Sequence, residues 1–362
     1  MKKHLIKNRG ITSILFFFLL NLSINSSASA QPDKLIFAID IVRHGDRTPI
    51  FKIPKAPASN AEVLGQLTGE GMQQEYQRGV ELRHRYIETA HLLPPNYNTE
   101  TIYVHSTDFD RTLMSTESLL LGLYPLGTGP KLASGQFALP SGFQPIPIHT
   151  IPSEQDNELI RKLDAKKLKD LKSSFVFTRP DWKQKTKELQ PYFARWSQLT
   201  GIPITSLDQL KPIGETLYIY QQHHLALPEG ITPDDAKILI ATGKWVYGTT
   251  FKPQKMGDTF GRPFLAVITP YLQQVTENKT TLKFVLFTAH DDTILSVLSA
   301  LHAPLDETPP YASDLTIALY EAGKDDYRVK MTLNGQPVQI PGCQNGNCTL
   351  TQFIELAKKA SA

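Results

Sequence analysis

Three segments of this chain share one order: an apolar run, a polar turn, then helical spacing. KLIFAIDIV (34–42) leads into RHGDRTP, and TLKFVLFTAHDD (281–292) leads into TILSVLSALH. TIYVHSTDFD (101–110) leads into RTLMSTESLLLGL, whose Leu113, Leu119, Leu120 and Leu123 suit a helix. A continuously apolar run belongs to a strand covered on both faces, and strands that alternate with helices form parallel sheets. The expected fold class is therefore α/β, a mostly parallel sheet with helices on both faces. In such sheets ligands bind outside the carboxyl ends of the strands. At those ends stand Arg43, His44 and Arg47; Asp108, Asp110 and Arg111; and His290, Asp291 and Asp292. Three distant segments are thus expected to share one crevice.

The middle of the chain differs. LIRKLDAKKLKDLKSSF and WKQKTKELQPYFARWSQLTG have helical spacing and many lysines, which read as solvated helix faces. The expected organisation is an α/β core of residues 31–129 and 241–362, with a mainly helical insertion at 130–240. Ahead of the core, MKKHLIKNRG is basic, ITSILFFFLLNLSI is apolar, and SSASA ends in small residues. That is the layout of a secretory signal peptide, residues 1–30, cleaved after Ala30. Its apolar stretch is short for a membrane span, so the mature protein is expected to be secreted or periplasmic, away from the membrane. Lys2, Lys3, Lys7 and Arg9 leave with the signal and no acid does, which takes the net charge from +3 to −1. A chain so balanced lacks the electrostatic footprint of a nucleic-acid partner. The two cysteines, Cys343 and Cys348 in PGCQNGNC, are expected to pair in an oxidising compartment.

The crowding of Arg43, His44 and Arg47 within five positions calls for an anion. Guanidinium stays protonated and presents a planar fork of donors that fits phosphate oxygens. A neutral imidazole can attack phosphorus and hold the phosphoryl group as an intermediate. The flanking arginines disfavour the imidazolium form, so His44 is expected to remain a nucleophile in acid. Gly45 is expected to give room and backbone freedom beside the ring. Phosphoryl transfer spreads charge over three oxygens, so further donors are needed; Arg111 and His290 are the candidates. Arg111 sits near a helix N-terminus, an unfavourable place for a cation unless an anion is present. Asp291 is the candidate general acid for the leaving oxygen.

RHGDRTP resembles the signature of the histidine phosphatase superfamily, in its acid phosphatase branch. STDFDRTLMS (106–115) and TAHDDTI (288–294) resemble that branch's second and third motifs. The signal segment, PGCQNGNC and the stretch around Trp245 are also similar to prostatic-type and bacterial major acid phosphatases. The resemblance implies that His44 is phosphorylated, that Arg43, Arg47, Arg111 and His290 hold phosphate, and that Asp291 donates the proton. It implies no metal or other cofactor, and a smaller helical domain leaning over the site. The substrates implied are small phosphomonoesters, with phosphotyrosine and nucleotides as candidates; family members often form homodimers. The alternative within the family is a phytase-type enzyme acting on inositol phosphates, which favours a wide basic pocket. The third motif reads HDDT where phytase-like members commonly have HDTN, so Asp292 is a second candidate for the acid.

Other readings compete. DFDRT fits D-x-D-x-T, in which Asp108 is the nucleophile and Mg²⁺ is essential. There HST separates the motif from its strand, and RHGDRTP goes unexplained. No C-x₅-R, Walker or H-E-x-x-H pattern is present in the sequence. A non-catalytic exported phosphate-binding protein would keep the arginines, but both His44 and Asp291 are retained. Asp46 is read as ordering its loop, His105 as packing at a strand end or lining the pocket, and His223 and His224 as structural or rim residues.

Overall fold

The computed structural model describes Met1 and residues 33–57, 63–159, 162–344 and 346–359; the rest of the expected signal segment lies outside the described residues. Strand β1 (Lys34–Arg43) is buried from Phe37 to Arg43 because structure covers both its edges and both its faces. It pairs in parallel with β3 (Phe284–Ala289), which pairs in parallel with β2 (Ile102–Ser106). On its other edge β1 pairs antiparallel with β4 (Asp314–Gly323). Strands β5 (Asp326–Leu333) and β6 (Gln336–Pro337) continue the sheet as hairpins, and β7 (Asn347–Thr349) also pairs with β5. The α/β class holds. The parallel order describes the three motif-bearing strands, and the other half of the sheet is antiparallel.

Ten α-helices lie among the described residues: α1 (Gly69–Arg83), α2 (Asp110–Leu123), α3 (Ala165–Phe175), α4 (Pro180–Thr200), α5 (Leu210–Gln222), α6 (Pro233–Thr250), α7 (Gln254–Phe260), α8 (Arg262–Thr276), α9 (Asp291–Ala300) and α10 (Leu350–Lys358). Side chains alternate across a strand, and β1 uses both faces. Phe37, Ile39 and Ile41, with Val285 and Phe287, pack on Phe264, Ile268, Ile294, Val297 and Phe353 of α8, α9 and α10. Ala38 and Val42, with Leu286 and Val104, pack on Leu82, Leu119 and Leu123 of α1 and α2. This double coverage is why the motif strands read as unbroken apolar runs. Each such side chain, fully buried, stabilises the fold by roughly 1.5–3 kcal/mol.

Helices α4, α5 and α6 build an apolar cluster of their own from Trp182, Phe193, Trp196, Leu217, Leu239 and Val246, joined by Met256 of α7 and Leu295 of α9. That junction holds α5 beside the sheet's carboxyl edge. Among the described residues, 130–159 carry no α-helix, whereas α6 continues to Thr250. Near the C-terminus a disulfide joins Cys343 to Cys348, with Cα atoms 4.7 Å apart.

Candidate active site

Register brings the motifs together. Arg43 pairs with Ala289 and Ser106 with Thr288, so β1, β3 and β2 end at one level. The ladder runs one step further through His44 N–H to the Ala289 carbonyl (3.1 Å) and Thr107 N–H to the Thr288 carbonyl (3.1 Å). The three turns then leave the sheet side by side.

His44 is only 2% exposed. Its Nδ1 lies 2.8 Å from the Gly45 carbonyl oxygen. A carbonyl can only accept, so Nδ1 carries the hydrogen and Nε2 keeps its lone pair. Burial lowers the pKa of His44 well below its ordinary value, and Arg43, His290, Arg47 and Arg111 lower it further. The ring is a neutral nucleophile even in acid. The preceding expectation for Gly45 needs one correction. Its φ is not positive; a Cβ there would lie 2.3 Å from the Gly71 carbonyl oxygen. Glycine is required by the close approach of α1 and not by backbone freedom.

The clamp arginines arrive from two turns. Arg43 Nη1 donates to the Pro309 carbonyl (2.5 Å), Nη2 pairs with Asp291 Oδ2 (2.9 Å), and the guanidinium lies 4.3 Å from the Tyr311 ring centre. Arg47 Nη2 pairs with Glu215 Oε1 of α5 at 2.6 Å. Arg111, in the first turn of α2, lies 4.6 Å over the Phe109 ring and 3.5 Å from His290 Nδ1. Burial and the neighbouring Arg47 push its pKa down to about 10. The Nε–H groups of Arg43, Arg47 and Arg111 are buried without an acceptor among the described residues. Buried donors are normally satisfied, and three guanidinium donors left over around one imidazole fit an oxyanion.

His290 caps α9, and its Nε2 lies 3.0 Å from Thr107 Oγ1. Thr107 Oγ1 donates to Thr112 Oγ1 (2.9 Å), so it accepts from His290 Nε2–H, which turns Nδ1 toward Arg111. Burial and Arg111 hold the His290 pKa down at about 3; a bound dianion acts in the opposite sense. The two following carboxyls differ sharply. Burial alone would raise Asp291, but Arg43, Lys211 and Arg47 outweigh it and hold the group at about 2. Burial and the charge of Asp291 push Asp292 up to about 6. Asp291 lines a cavity of about 120 Å³ with Arg43, Lys211, Glu215, Tyr218, Lys244 and Tyr311. Asp292 lines a different one, beside Tyr247.

Every phosphate-site residue expected from sequence thus gathers around His44, while the rival nucleophile Asp108 is exposed. His105 is buried against Phe287, and His149 bridges to its backbone. Sequence reasoning missed Glu215, Lys211, Thr107 and Tyr311. Thr107 lies inside the second motif and was within reach; the others come from turns and helices with no local signal. His223, read as structural or at the rim, has a structural contact: its Nε2 meets Asp46 Oδ2 at 2.7 Å while Thr68 Oγ1 donates to the same oxygen (2.7 Å).

Residues 56–334 match the family model described as "Histidine phosphatase superfamily (branch 2)". That range begins after His44, so the match does not depend on the first motif. The chain is 29% identical to the lysosomal acid phosphatase of Pongo abelii over 356 residues, 95% of this chain and 82% of that protein. It is 29% identical to the prostatic acid phosphatase of Homo sapiens over 362 residues, 95% of this chain and 89% of the other. Among solved structures, the phytase of Klebsiella sp. ASR1 superposes with a TM-score of 0.68 at 18% identity, covering 91% of this chain and 96% of its own.

Proposed function

This chain belongs to branch 2 of the histidine phosphatase superfamily, and from that premise we propose that it is an exported, metal-independent acid phosphatase acting on phosphomonoesters through a phosphohistidine. The observation that carries this reading is a neutral His44, with Nε2 free, inside a ring of Arg43, Arg47 and Arg111.

In the first step the Nε2 lone pair of His44 attacks phosphorus while the bond to the ester oxygen breaks. The three arginines hold the equatorial oxygens, and His290 joins them once the bound dianion has protonated its Nδ1. The leaving oxygen takes its proton from Asp291. Asp291 is ionised when it faces Arg43 alone; a phosphate dianion that engages Arg43 and Arg47 cancels their pull and restores its affinity for a proton. In the second step Asp291 takes a proton from water, the water oxygen bonds to phosphorus, the P–N bond breaks, and phosphate leaves. Asp46 keeps the turn between His44 and Arg47 in place through Thr68 and His223.

The cavity beside the clamp supports small monoesters. Tyr218 and Tyr311 line it and suit a flat aromatic leaving group such as that of phosphotyrosine or a nucleotide. Its Arg43, Lys211 and Lys244 are matched by Asp291, Glu215 and Glu307. That balance disfavours a polyanion such as inositol hexakisphosphate, although solved phytases share the fold. We assign the insertion 130–240, helical from Ala165 onward, the part of a cap, from which α5 reaches the clamp. Export rests on the N-terminal signal pattern; no helix among the described residues is long and apolar enough to cross a membrane.

The test is phosphate release at acid pH from an aryl phosphate and from inositol hexakisphosphate after exhaustive chelation. The expected result is full turnover of the aryl ester and little of the inositol ester. Loss of activity on chelation contradicts the mechanism, and the reverse substrate preference restores the phytase reading.

A further inference from the structure

A phosphate clamp needs its arginines free for substrate, yet Glu215 reaches into this one. Its Oε1 lies 2.6 Å from Arg47 Nη2, and its side chain is 15% exposed. Burial opposes its ionisation, but Lys211 and Arg47 outweigh burial and keep it charged. Glu215 has no part in bond making or breaking. Its presence beside Arg47 costs binding energy whenever a phosphate dianion enters, because the two anions compete for one guanidinium.

Glu215 also has a second seat. Oε2 lies 3.2 Å from Lys211 Nζ, one helical turn earlier on α5. Lys211 is itself held 4.2 Å from the Tyr247 ring centre. Helix α5 is fixed independently of Glu215: His223 holds Asp46, and Thr216 Oγ1 donates to the Phe51 carbonyl (3.0 Å). A change of partner at Glu215 therefore needs only side-chain rotation.

We propose that Glu215 is the resting counter-ion of the clamp: it pairs with Arg47 before substrate binds, retreats to Lys211 when a phosphate dianion takes Arg47, and returns to Arg47 as product phosphate departs. The device answers two needs. A buried guanidinium without an anion is costly, and without Glu215 both Arg47 and Arg111 would lack a carboxylate and the clamp would retain its product. Glu215 sets how tightly phosphate is held and is a positioning residue, acting through Arg47.

This proposal rests on the phosphatase reading, and inorganic phosphate as the probe separates the two. The inhibition constant of phosphate against aryl-ester hydrolysis is measured for wild type, Glu215→Gln and Lys211→Met. Glu215→Gln is expected to bind phosphate about tenfold more tightly, with a lower KM, since removing one nearby charge of like sign is worth about that factor. Lys211→Met is expected to bind phosphate several-fold more weakly, because Glu215 then has nowhere to go. Unchanged or weaker phosphate binding by Glu215→Gln overturns the proposal, since a residue that merely orients Arg47 gives that sign. Should Glu215→Gln fail to fold, tighter binding by Lys211→Met overturns it equally. A wild-type protein that neither turns over nor binds phosphate overturns the phosphatase reading, and this proposal with it.

Discussion

Two buried charge clusters lie along β1, and they are balanced in opposite ways. Around residue 40 the carboxylates outnumber the cations. Asp40 and Asp314 are both fully buried and share Arg85, which lies 3.0 Å from Asp314 and 4.0 Å from Asp40. Tyr86 Oη donates to Asp40 (2.9 Å) and Arg85 donates to Thr316 (2.9 Å). Burial raises both carboxyls, and the charge of Asp314 raises Asp40 further, so this cluster neutralises itself by keeping protons. Around residues 43–47 the cations prevail: Arg43 and Arg47 have one carboxylate each, and Arg111 forms no ion pair among the described residues. The first cluster can balance its charge with protons, although Asp40 Oδ2 and Asp314 Oδ1 lack hydrogen-bond partners among the described residues, while the second is balanced only by an anion. A site that stores unpaired charge sacrifices stability for binding.

The largest effect on turnover that separates the clusters is expected at the acid. Asp291→Ala should slow esters with poor leaving groups by about 10²–10⁴-fold and activated aryl esters far less. An equal loss for all leaving groups moves proton donation elsewhere, first to Asp292. Arg111→Met should lower kcat/KM by about 10²–10³-fold and leave the melting temperature unchanged or raised. Arg85→Met should do the reverse, costing roughly 3 kcal/mol by stranding Asp40 and Asp314, with turnover per folded molecule kept within a few-fold. If both arginine variants lose activity and stability together, the two clusters are one.

The smallest effect is one of pH. The folded-state pKa of Asp40 and Asp314 lies above the unfolded value, so their contribution to stability is fully present below the ordinary carboxylate range, about pH 4, and is lost as pH rises through the folded values. Asp291 and Glu215 are shifted downward, so theirs is lost as pH falls. The melting temperature should therefore be highest in mild acid and fall toward neutral pH. Asp40→Asn should flatten that fall. A melting temperature that climbs steadily to neutrality contradicts the assignment of buried, protonated carboxyls.

Much of this was legible in the sequence, for physical reasons. Arg43, His44 and Arg47 are contiguous and follow an apolar strand, so their placement needs only the rule that parallel strands present their carboxyl ends to a ligand. Arg111 could be read because a helix N-terminus disfavours a lone cation. The antiparallel half of the sheet also had a signal: Asn334-Gly335, both at positive φ, joins β5 to β6. Glu215, His223 and Tyr311 left no such trace. Each acts through a partner far away in sequence, as His223 does on Asp46 177 positions off, and ordinary helix or loop residues serve for that. Gly45 could be marked as special, but the reason, the Gly71 carbonyl of α1, is a tertiary contact.

The central claim is that His44 carries the phosphoryl group. Mixing the protein with ³²P-labelled aryl phosphate, quenching within milliseconds in denaturant and mapping the labelled peptide tests it directly. The account predicts an acid-labile, alkali-stable label on His44 Nε2, absent from His44→Ala. Label on an aspartate, or turnover by His44→Ala at the wild-type rate, contradicts it.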